Sequence, residues 1–350
     1  MCKKCLYDDI GDFSEGLARV CREGKYGFVD KTGREVVSCQ YDDAGDFSEG
    51  LARVEVHVPS DDCADDDWID RILGGKNGYI DKTGTVVIPC KFDQAYTFHE
   101  GLARVRQNGK YVFIDKTGTE VFTIEDGSDP DDFSDGLSRV NRDGKTGFID
   151  KTGRVAIPCK FDGAHAFSEG MAVICEEHLL PEDKRNDDVD SFSTYGFIDK
   201  SGLEVTPCKY EDANSFHDGM ALVKSDGRFG YVDQTGKEII PCQYDYARNF
   251  SEGLAFVAVE GENVFIDKTG RAVISHPKLV FARDFCEGLA VVIVDGRWGY
   301  MDKTGREVIP CQYDRADDFH DGMAQVTLGD RLLFIDKTGR EVIEVESGKE

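Results

Sequence analysis

One cassette recurs nine times along this chain, and the repetition constrains the fold more than any other feature of the sequence. In the first copy, the element Phe-Ser-Glu-Gly-Leu-Ala-Arg-Val is followed by a second element, Gly-Phe-Val-Asp-Lys-Thr-Gly. A fixed period of this kind indicates a tandem-repeat architecture, so we predict a single continuous array over residues 1–350. We number the repeats 1 to 9 by the glycine of the first element, which falls at Gly16, Gly50, Gly101, Gly136, Gly170, Gly219, Gly253, Gly288 and Gly322, at intervals of 34 or 35 residues apart from two of 51 and 49.

Each repeat is predicted to form three short strands, which makes the fold class all-β. The first strand, residues 17–20 in repeat 1, ends at a turn that contains Gly24. The second strand carries an aromatic residue, a branched or long apolar residue and Asp in all nine copies, and this Asp opens an Asp-Lys-Thr-Gly turn or a close variant. A type I turn followed by a left-handed glycine is a common hairpin connection. The third strand is stopped by proline in several copies, as at Pro310.

The number of strands decides between two arrangements of these β-meander units. Nine units of three strands give about 27 strands, whereas a twisted open sheet rarely exceeds about ten, so the array must coil or close. We predict an open superhelical β-solenoid, because it accommodates any number of repeats. The alternative is a closed β-propeller-like toroid, although propellers usually have about four to eight blades of four strands. The end repeats lack the atypical caps that open arrays usually need, and this observation favours closure.

The charge of the chain restricts its partners. Against 42 basic residues there are 68 acidic ones, which gives a formal charge of −26 spread along the whole array. Such a charge repels phosphate backbones and anionic membranes, so we predict neither a nucleic-acid nor a membrane partner and favour a basic or mixed-charge protein. The N-terminus lacks the apolar stretch of a secretory signal, and no segment has 18 consecutive apolar residues. We therefore expect a cytoplasmic protein.

Most cysteines and three of the seven histidines occupy recurring positions and do not predict metal or redox chemistry. Cys5 falls in the register of a recurring cysteine, which indicates that the N-terminus is the tail of a partial cassette. One cysteine per repeat is typical of a small buried apolar residue, and reduced thiols fit the cytosol. No Ser, His and Asp set stands out, so we predict no enzyme, metal or cofactor. The recurring cysteines are Cys39, Cys90, Cys159, Cys208, Cys242 and Cys311, and the histidines His99, His217 and His320 replace the serine of the first element.

The two stretched intervals are where the chain departs from its own period. Acidic insertions lie near residues 56–75 and 175–194, at the same position between the first and second strands of repeats 2 and 5. Insertions at one repeat position emerge on one face, which is often the binding face. The alternative is that each insertion is a flexible acidic loop that the fold accommodates and that binds no partner. The candidate partner-binding residues in these insertions are Asp65, Asp66, Asp67, Trp68, Leu179 and Leu180.

Residues 296–305, Gly-Arg-Trp-Gly-Tyr-Met-Asp-Lys-Thr-Gly, resemble the bacterial WG-repeat family, whose units are named for a Trp-Gly pair before Tyr-Ile-Asp. The resemblance extends from Tyr7 to Val342. Trp298 alone keeps the tryptophan, and Val112, Val264 and Leu333 replace the glycine. The resemblance implies an interaction module without an established general catalytic chemistry.

These observations lead to two functional hypotheses. The first is a non-enzymatic scaffold for protein–protein interaction, with the acidic insertions as contact sites. The alternative is a carbohydrate or cell-surface ligand-binding module that uses the recurring aromatic residues, and it requires exposed rows of Tyr and Phe. The sequence leaves the oligomeric state open.

Overall fold

The structure is a computed structural model that describes residues 3–57, 75–125, 128–180 and 191–346. In this part of the chain the regular secondary structure consists of β-strands, which confirms the all-β prediction. The strands up to the end of repeat 4 are β1 (Lys3–Leu6), β2 (Asp9–Ser14), β3 (Leu17–Arg22), β4 (Lys25–Asp30), β5 (Glu35–Tyr41), β6 (Asp43–Ala44), β7 (Leu51–His57), β8 (Gly75–Asp81), β9 (Val86–Phe92), β10 (Gln94–Ala95), β11 (Leu102–Gln107), β12 (Lys110–Asp115), β13 (Glu120–Ile124), β14 (Leu137–Arg142), β15 (Lys145–Asp150) and β16 (Val155–Phe161).

The strands of repeats 5 to 9 follow the same order along the chain. They are β17 (Gly163–Ala164), β18 (Met171–Leu179), β19 (Ser191–Asp199), β20 (Glu204–Tyr210), β21 (Asp212–Ala213), β22 (Met220–Ser225), β23 (Arg228–Asp233), β24 (Glu238–Tyr244), β25 (Tyr246–Ala247), β26 (Leu254–Val259), β27 (Glu262–Asp267), β28 (Ala272–Ser275), β29 (Leu279–Cys286), β30 (Leu289–Val294), β31 (Arg297–Asp302), β32 (Glu307–Tyr313), β33 (Arg315–Ala316), β34 (Met323–Leu328), β35 (Arg331–Asp336) and β36 (Glu341–Glu346).

These strands form nine small sheets, one per repeat, within two compact units. One unit comprises Met1–Gly127 with Gln312–Glu350, and the other comprises Ser128–Cys311. Within each repeat the strands lie in sequence order and are antiparallel, as in β6-β7-β8-β9 of repeat 2. Repeat 4 has three strands, and the sheet of repeat 9 gains β1 as a fifth strand.

The prediction of three strands per repeat is wrong, because most sheets contain a fourth strand at one edge. This strand is short, as in Asp43–Ala44, and it precedes a tight turn through Glu49 and Gly50. Both turn residues have positive φ, 52° and 89°, which is the conformation of a two-residue type I′ hairpin turn. The loop before Leu51 is therefore the first half of a hairpin rather than a connection between units.

The glycine before the aromatic residue and the recurring cysteine occur in the same six repeats, and the sheet shows why. In repeat 2, Asn77 pairs with Phe92 while Tyr79 pairs with Ile88, so β9 bulges over β8 between these pairs. A Cβ at Gly78 would lie 2.7 Å from the backbone nitrogen of Cys90 and 2.4 Å from a backbone oxygen. Repeats 3, 7 and 9 have larger residues here and lack both the cysteine and this bulge.

The core lies between neighbouring sheets. The phenylalanine that precedes each Ser-Glu-Gly turn packs against the aromatic residue of the preceding repeat, as Phe47 does against Phe28 at 4.8 Å in an edge-to-face arrangement. Both rings are at most 2% exposed. Such pairs are worth about 0.5–1.5 kcal/mol beyond the apolar area that they bury. The same contact recurs in repeats 3, 5, 6 and 7.

The prediction of an open superhelical solenoid is wrong, because the first and last repeats lie side by side in the first unit. β1 pairs in parallel with β36, from Lys3 opposite Ile343 to Leu6 opposite Glu346. The ring of Phe13 meets that of Phe334 at 5.4 Å, the same contact that joins consecutive repeats. This contact between termini is the one expected of the closed β-propeller-like alternative. The N-terminal partial cassette supplies strand β1 to the sheet of repeat 9.

Candidate interaction site

Each sheet has two ends with different turns. The turns between the first and second strands and between the third and fourth strands lie at one end, which we call the Glu-Gly end. The turn between the second and third strands lies at the opposite end. The positions of both acidic insertions fall between second and third strands, at this opposite end, which we call the insertion end.

Carboxylates at the insertion end join neighbouring repeats. Asp42 accepts a hydrogen bond from the backbone N–H of His57 at 2.8 Å and an ion pair from Lys25 of the preceding repeat at 2.5 Å. The same pattern recurs at Asp162, where the hydrogen bond from Lys145 lowers the pKa of the carboxyl group. These carboxylates therefore stabilise contacts within the fold and are not free to bind a partner's basic groups.

Carboxylates at the Glu-Gly end also join repeats. Glu49 of repeat 2 accepts a hydrogen bond from the backbone N–H of Gly101 at 2.9 Å and pairs with Lys116 at 2.9 Å. The hydroxyl of Ser48 donates to the backbone oxygen of Phe98 at 2.8 Å. The first element of the cassette is therefore a connector between sheets.

The recurring histidines and cysteines have structural positions. The backbone N–H of His99 donates to the Leu102 oxygen in the turn, as its serine counterparts do. The recurring cysteines are half-buried, and burial raises the pKa of Cys208 to about 12 and that of Cys242 to about 11, which keeps both thiols protonated at neutral pH. Over the described residues no group of three or more His, Cys, Asp or Glu side chains is arranged to hold a metal ion.

The hairpin of repeat 5 extends beyond those of ordinary repeats. β18 and β19 pair over nine residue pairs, from Met171–Asp199 to Leu179–Ser191, whereas β22 and β23 of repeat 6 pair over six. At about 3.3 Å per residue, three further pairs project the hairpin by about 10 Å. Its outer part carries exposed apolar side chains, because Leu179 is 69% exposed and Phe192 is 49% exposed.

Side-chain contacts fix the outer part of this hairpin. The His178 ring lies 5.1 Å from that of Phe192, and its Nε2 is 2.8 Å from the Thr194 hydroxyl. On the opposite face, the Ser191 hydroxyl donates to Glu177 at 2.5 Å. The exposed rings and aliphatic groups are thus held on a paired strand rather than on a loop.

The structure places two of the predicted partner-binding residues in this hairpin. Leu179 is exposed, as a partner contact requires, and Leu180 is half-buried beside it. The sequence analysis missed Phe192, although Phe192, Thr194 and Tyr195 before Gly196 are aromatic and β-branched residues of the kind that strands favour. The other predicted residues, Asp65, Asp66, Asp67 and Trp68, lie outside the described residues.

The recurring aromatic residues do not form the exposed rows that the carbohydrate hypothesis requires. The rings of the second element are buried between sheets, and those of the first element pack against them. The side chains of Phe28, Tyr79, Phe148, Phe197 and Tyr231 are all 0% exposed. The exposed rows of recurring Tyr and Phe that this hypothesis requires are therefore absent among these five rings.

A cavity of about 490 Å³ lies between the sheets of repeats 2 and 3. Polar side chains form part of its walls, with Arg53, Glu55 and Asn77 from repeat 2 and with Tyr96 and Arg106 from repeat 3. Arg53 donates to the side-chain oxygen of Asn77 at 2.8 Å. The sequence analysis did not identify this cavity, because its residues are spread over two repeats.

Small sheets that pack through recurring aromatic pairs and join by recurring turns define a class, the all-β tandem-repeat proteins. A family described as "WG containing repeat" matches residues 4–26, 26–57, 78–111, 147–177, 195–229, 229–262, 265–298 and 298–331. These segments cover more than half of the chain, which therefore belongs to this family and confirms the resemblance. No curated protein matches the chain.

Several solved structures are similar to the chain at low identity. A eukaryotic initiation factor is 10% identical, with 97% of this chain and 87% of that one covered and a TM-score of 0.46. BamB from Moraxella catarrhalis is 13% identical, with 68% and 77% covered and a TM-score of 0.34. Hsv2 from Kluyveromyces lactis is 9% identical, with 70% and 94% covered and a TM-score of 0.35. These likenesses are too distant to inform the function.

The described residues include no helix that is long and apolar enough to span a membrane.

Proposed function

We propose that this chain is a non-enzymatic scaffold that binds a protein partner at the projecting hairpin of repeat 5. The observation that carries the proposal is the exposure of Leu179 and Phe192 on a paired hairpin that extends beyond those of ordinary repeats. Exposed apolar side chains held on rigid elements are favourable contact points, because little conformational entropy is lost when a partner covers them.

The proposed partner is a protein with a basic or mixed-charge surface. Glu176 and Glu177 are exposed beside the apolar residues of the hairpin, and the whole chain has a formal charge of −26. This charge steers basic surfaces toward the chain and repels nucleic acids and anionic membranes. A cytoplasmic location belongs to the same proposal.

Paired variants test the hairpin. We expect Leu179→Ser combined with Phe192→Ser to lower recovery of the partner at least about tenfold in quantitative pull-downs, because truncated hot-spot residues cost at least about 2 kcal/mol. The matched control is Leu203→Ser, which removes a side chain that is 67% exposed at the Glu-Gly end of the same repeat. The proposal fails if the hairpin variant and the control recover the same proteins in the same amounts.

The acidic insertion of repeat 2 stays a predicted second contact. Its candidate residues are Asp65, Asp66, Asp67 and Trp68. Deletion of residues 60–72 is expected to leave unfolding cooperative while it weakens binding of the partner recovered with the wild-type chain. Unchanged binding would remove this insertion from the proposed site and leave the hairpin as the contact.

A further inference from the structure

In the cavity between repeats 2 and 3, a small polar side chain stands at a position where several other repeats have an aromatic ring. The residue before the glycine of the second element points into the gap between neighbouring sheets, and in repeat 2 this residue is Asn77, which is 3% exposed. Repeat 6 has Phe229 at this position, and the corresponding cavity measures about 180 Å³ against about 490 Å³. The equivalent residues in repeats 1, 5 and 8 are Tyr26, Tyr195 and Trp298.

Asparagine alone does not open the gap. Repeat 7 has Asn263 at the same position, but there the rings of Phe256 and Phe281 meet at 5.8 Å in the gap. The Asn263 amide donates to the backbone oxygens of Leu279 and Val280, each at 3.0 Å. Repeat 2 differs because Arg53 and Gln94 line the gap at the positions where repeats 7 and 8 have these two phenylalanines.

Several polar groups of the cavity are held in place by the protein. Arg53 donates to Asn77 and pairs with Asp43. The carboxylate of Asp93 accepts hydrogen bonds from Lys76 at 2.6 Å and from the backbone N–H of Asn108 at 3.1 Å. Because these polar groups are already oriented, little conformational entropy is lost when a ligand binds to them.

Two opposite charges remain for a ligand. Arg106 of repeat 3 has no carboxylate within 4.0 Å in the part of the chain that the structure describes. Its guanidinium group makes a cation–π contact with Tyr111, 5.9 Å from the centre of the ring. Glu55 of repeat 2 makes one long contact, 3.8 Å from Arg53. Guanidinium groups bind carboxylates well, and a carboxylate such as that of Glu55 binds an ammonium group.

We infer that this cavity binds a small zwitterion, a free α-amino acid, with its carboxylate at Arg106 and its ammonium group at Glu55. A simple anion would be repelled by the net charge of −26, whereas a zwitterion carries no net charge. The cavity volume falls in the range of about 300–1,000 Å³ that is usual for small-molecule sites. The amides of Asn77 and Gln94 line the same cavity and offer donors and acceptors for the ligand's polar groups.

The test mixes the chain of residues 1–350 with each free L-amino acid in turn. Saturation-transfer NMR measures binding, and thermal unfolding measures the change in Tm. At about 100 times its Kd, a ligand that binds the folded state alone raises the folded-to-unfolded ratio about 100-fold. We expect at least one amino acid to produce a saturable signal and a rise in Tm. Its N-acetyl derivative and the matching amine, which each lack one charge, are expected to bind at least about tenfold more weakly, by the loss of one charge-assisted hydrogen bond.

Two variants and one control locate the site. Asn77→Phe fills the gap as Phe229 does in repeat 6, and Arg106→Gln removes the proposed carboxylate contact from an exposed position, so both are expected to abolish binding. Lys224 occupies the position of Arg106 in repeat 6, and Lys224→Gln is expected to bind as the wild type does. The inference is overturned if no amino acid binds, if the single-charge analogues bind equally well, or if both Asn77→Phe and Arg106→Gln retain binding.

The inference is independent of the proposed partner site. The variant with Leu179→Ser and Phe192→Ser keeps Asn77 and Arg106 and is expected to bind the amino acid as the wild type does. Failure of one proposal therefore leaves the other standing.

Discussion

Repeats 5 and 6 are neighbours built on one cassette, yet they differ where function is proposed. Both have a buried aromatic residue in the second element and a phenylalanine before the turn, and Phe197 of repeat 5 packs on Phe216 of repeat 6 at 5.1 Å. The second and third strands of repeat 6 end in the tight turn at Asp226 and Gly227, whereas those of repeat 5 continue to Leu179 and Ser191. The residues that the two repeats share hold the sheets together. The longer hairpin of repeat 5, which departs from the cassette, supplies the proposed surface for a partner.

The largest expected effect distinguishes a scaffold ring from a surface ring. Phe216 is 1% exposed and Phe192 is 49% exposed. Phe216→Ala is expected to lower the free energy of unfolding by about 3–5 kcal/mol, because it leaves a cavity between two sheets. Phe192→Ala is expected to change it by no more than about 0.5 kcal/mol. Denaturant unfolding of both variants measures this difference, and similar losses in the two would contradict the assignment.

The next largest effect is the loss of stability when the glycine beneath the bulge is replaced, and it should be the same in repeats 5 and 6. A Cβ at Gly230 would lie 2.6 Å from the backbone nitrogen of Cys242, and one at Gly196 would lie 2.8 Å from that of Cys208. Gly230→Ala and Gly196→Ala are each expected to cost about 1–3 kcal/mol, because the fourth strand must move. Thermal unfolding of the two variants compares them, and a cost confined to one repeat would show that their bulges are not equivalent.

The smallest expected effect is a gain in stability in repeat 5. Thr206 occupies the position of Ile240, is 2% exposed, and its hydroxyl finds no hydrogen-bond partner in the described structure. Thr206→Val is expected to raise the free energy of unfolding by about 1 kcal/mol, because it removes a buried unpaired hydroxyl. The control Thr235→Val removes a hydroxyl that donates to Asp233 at 2.6 Å and is expected to lower it. A loss of stability in Thr206→Val would show that its hydroxyl is bonded.

The local elements of the fold could be predicted from the sequence because their signals are local. The aromatic-apolar-Asp strand and its turn recur in every copy, and the structure confirms both. The fourth strand was missed because a two-residue strand has no period to detect. Its signal lay in Asp218-Gly219 and Asp321-Gly322, which are Asp-Gly pairs of the kind that hairpin turns favour.

The arrangement of the repeats could not be predicted, because it depends on contacts between distant residues. The strand count of three argued against a propeller, and that count was wrong. The pairing of Lys3–Leu6 with the last strand joins opposite ends of the chain, and no local pattern reports such a contact. In the candidate site, the sequence pointed to Leu179, which is exposed, and its role as a partner contact stays a prediction. The exposure of Phe192 depends on how far the hairpin pairs, which no local pattern reports.

The most direct test of the account replaces the projecting hairpin with an ordinary turn. Residues 177–193 are exchanged for Asp-Gly, so that Glu176 and Thr194 are joined as Ser225 and Arg228 are in repeat 6. Calorimetry with the purified partner measures the Kd. We predict at least about a 100-fold loss of affinity, as expected when hot-spot residues are removed, with unfolding that stays cooperative. An unchanged Kd in this folded variant would contradict the claim that the departures from the cassette carry the function.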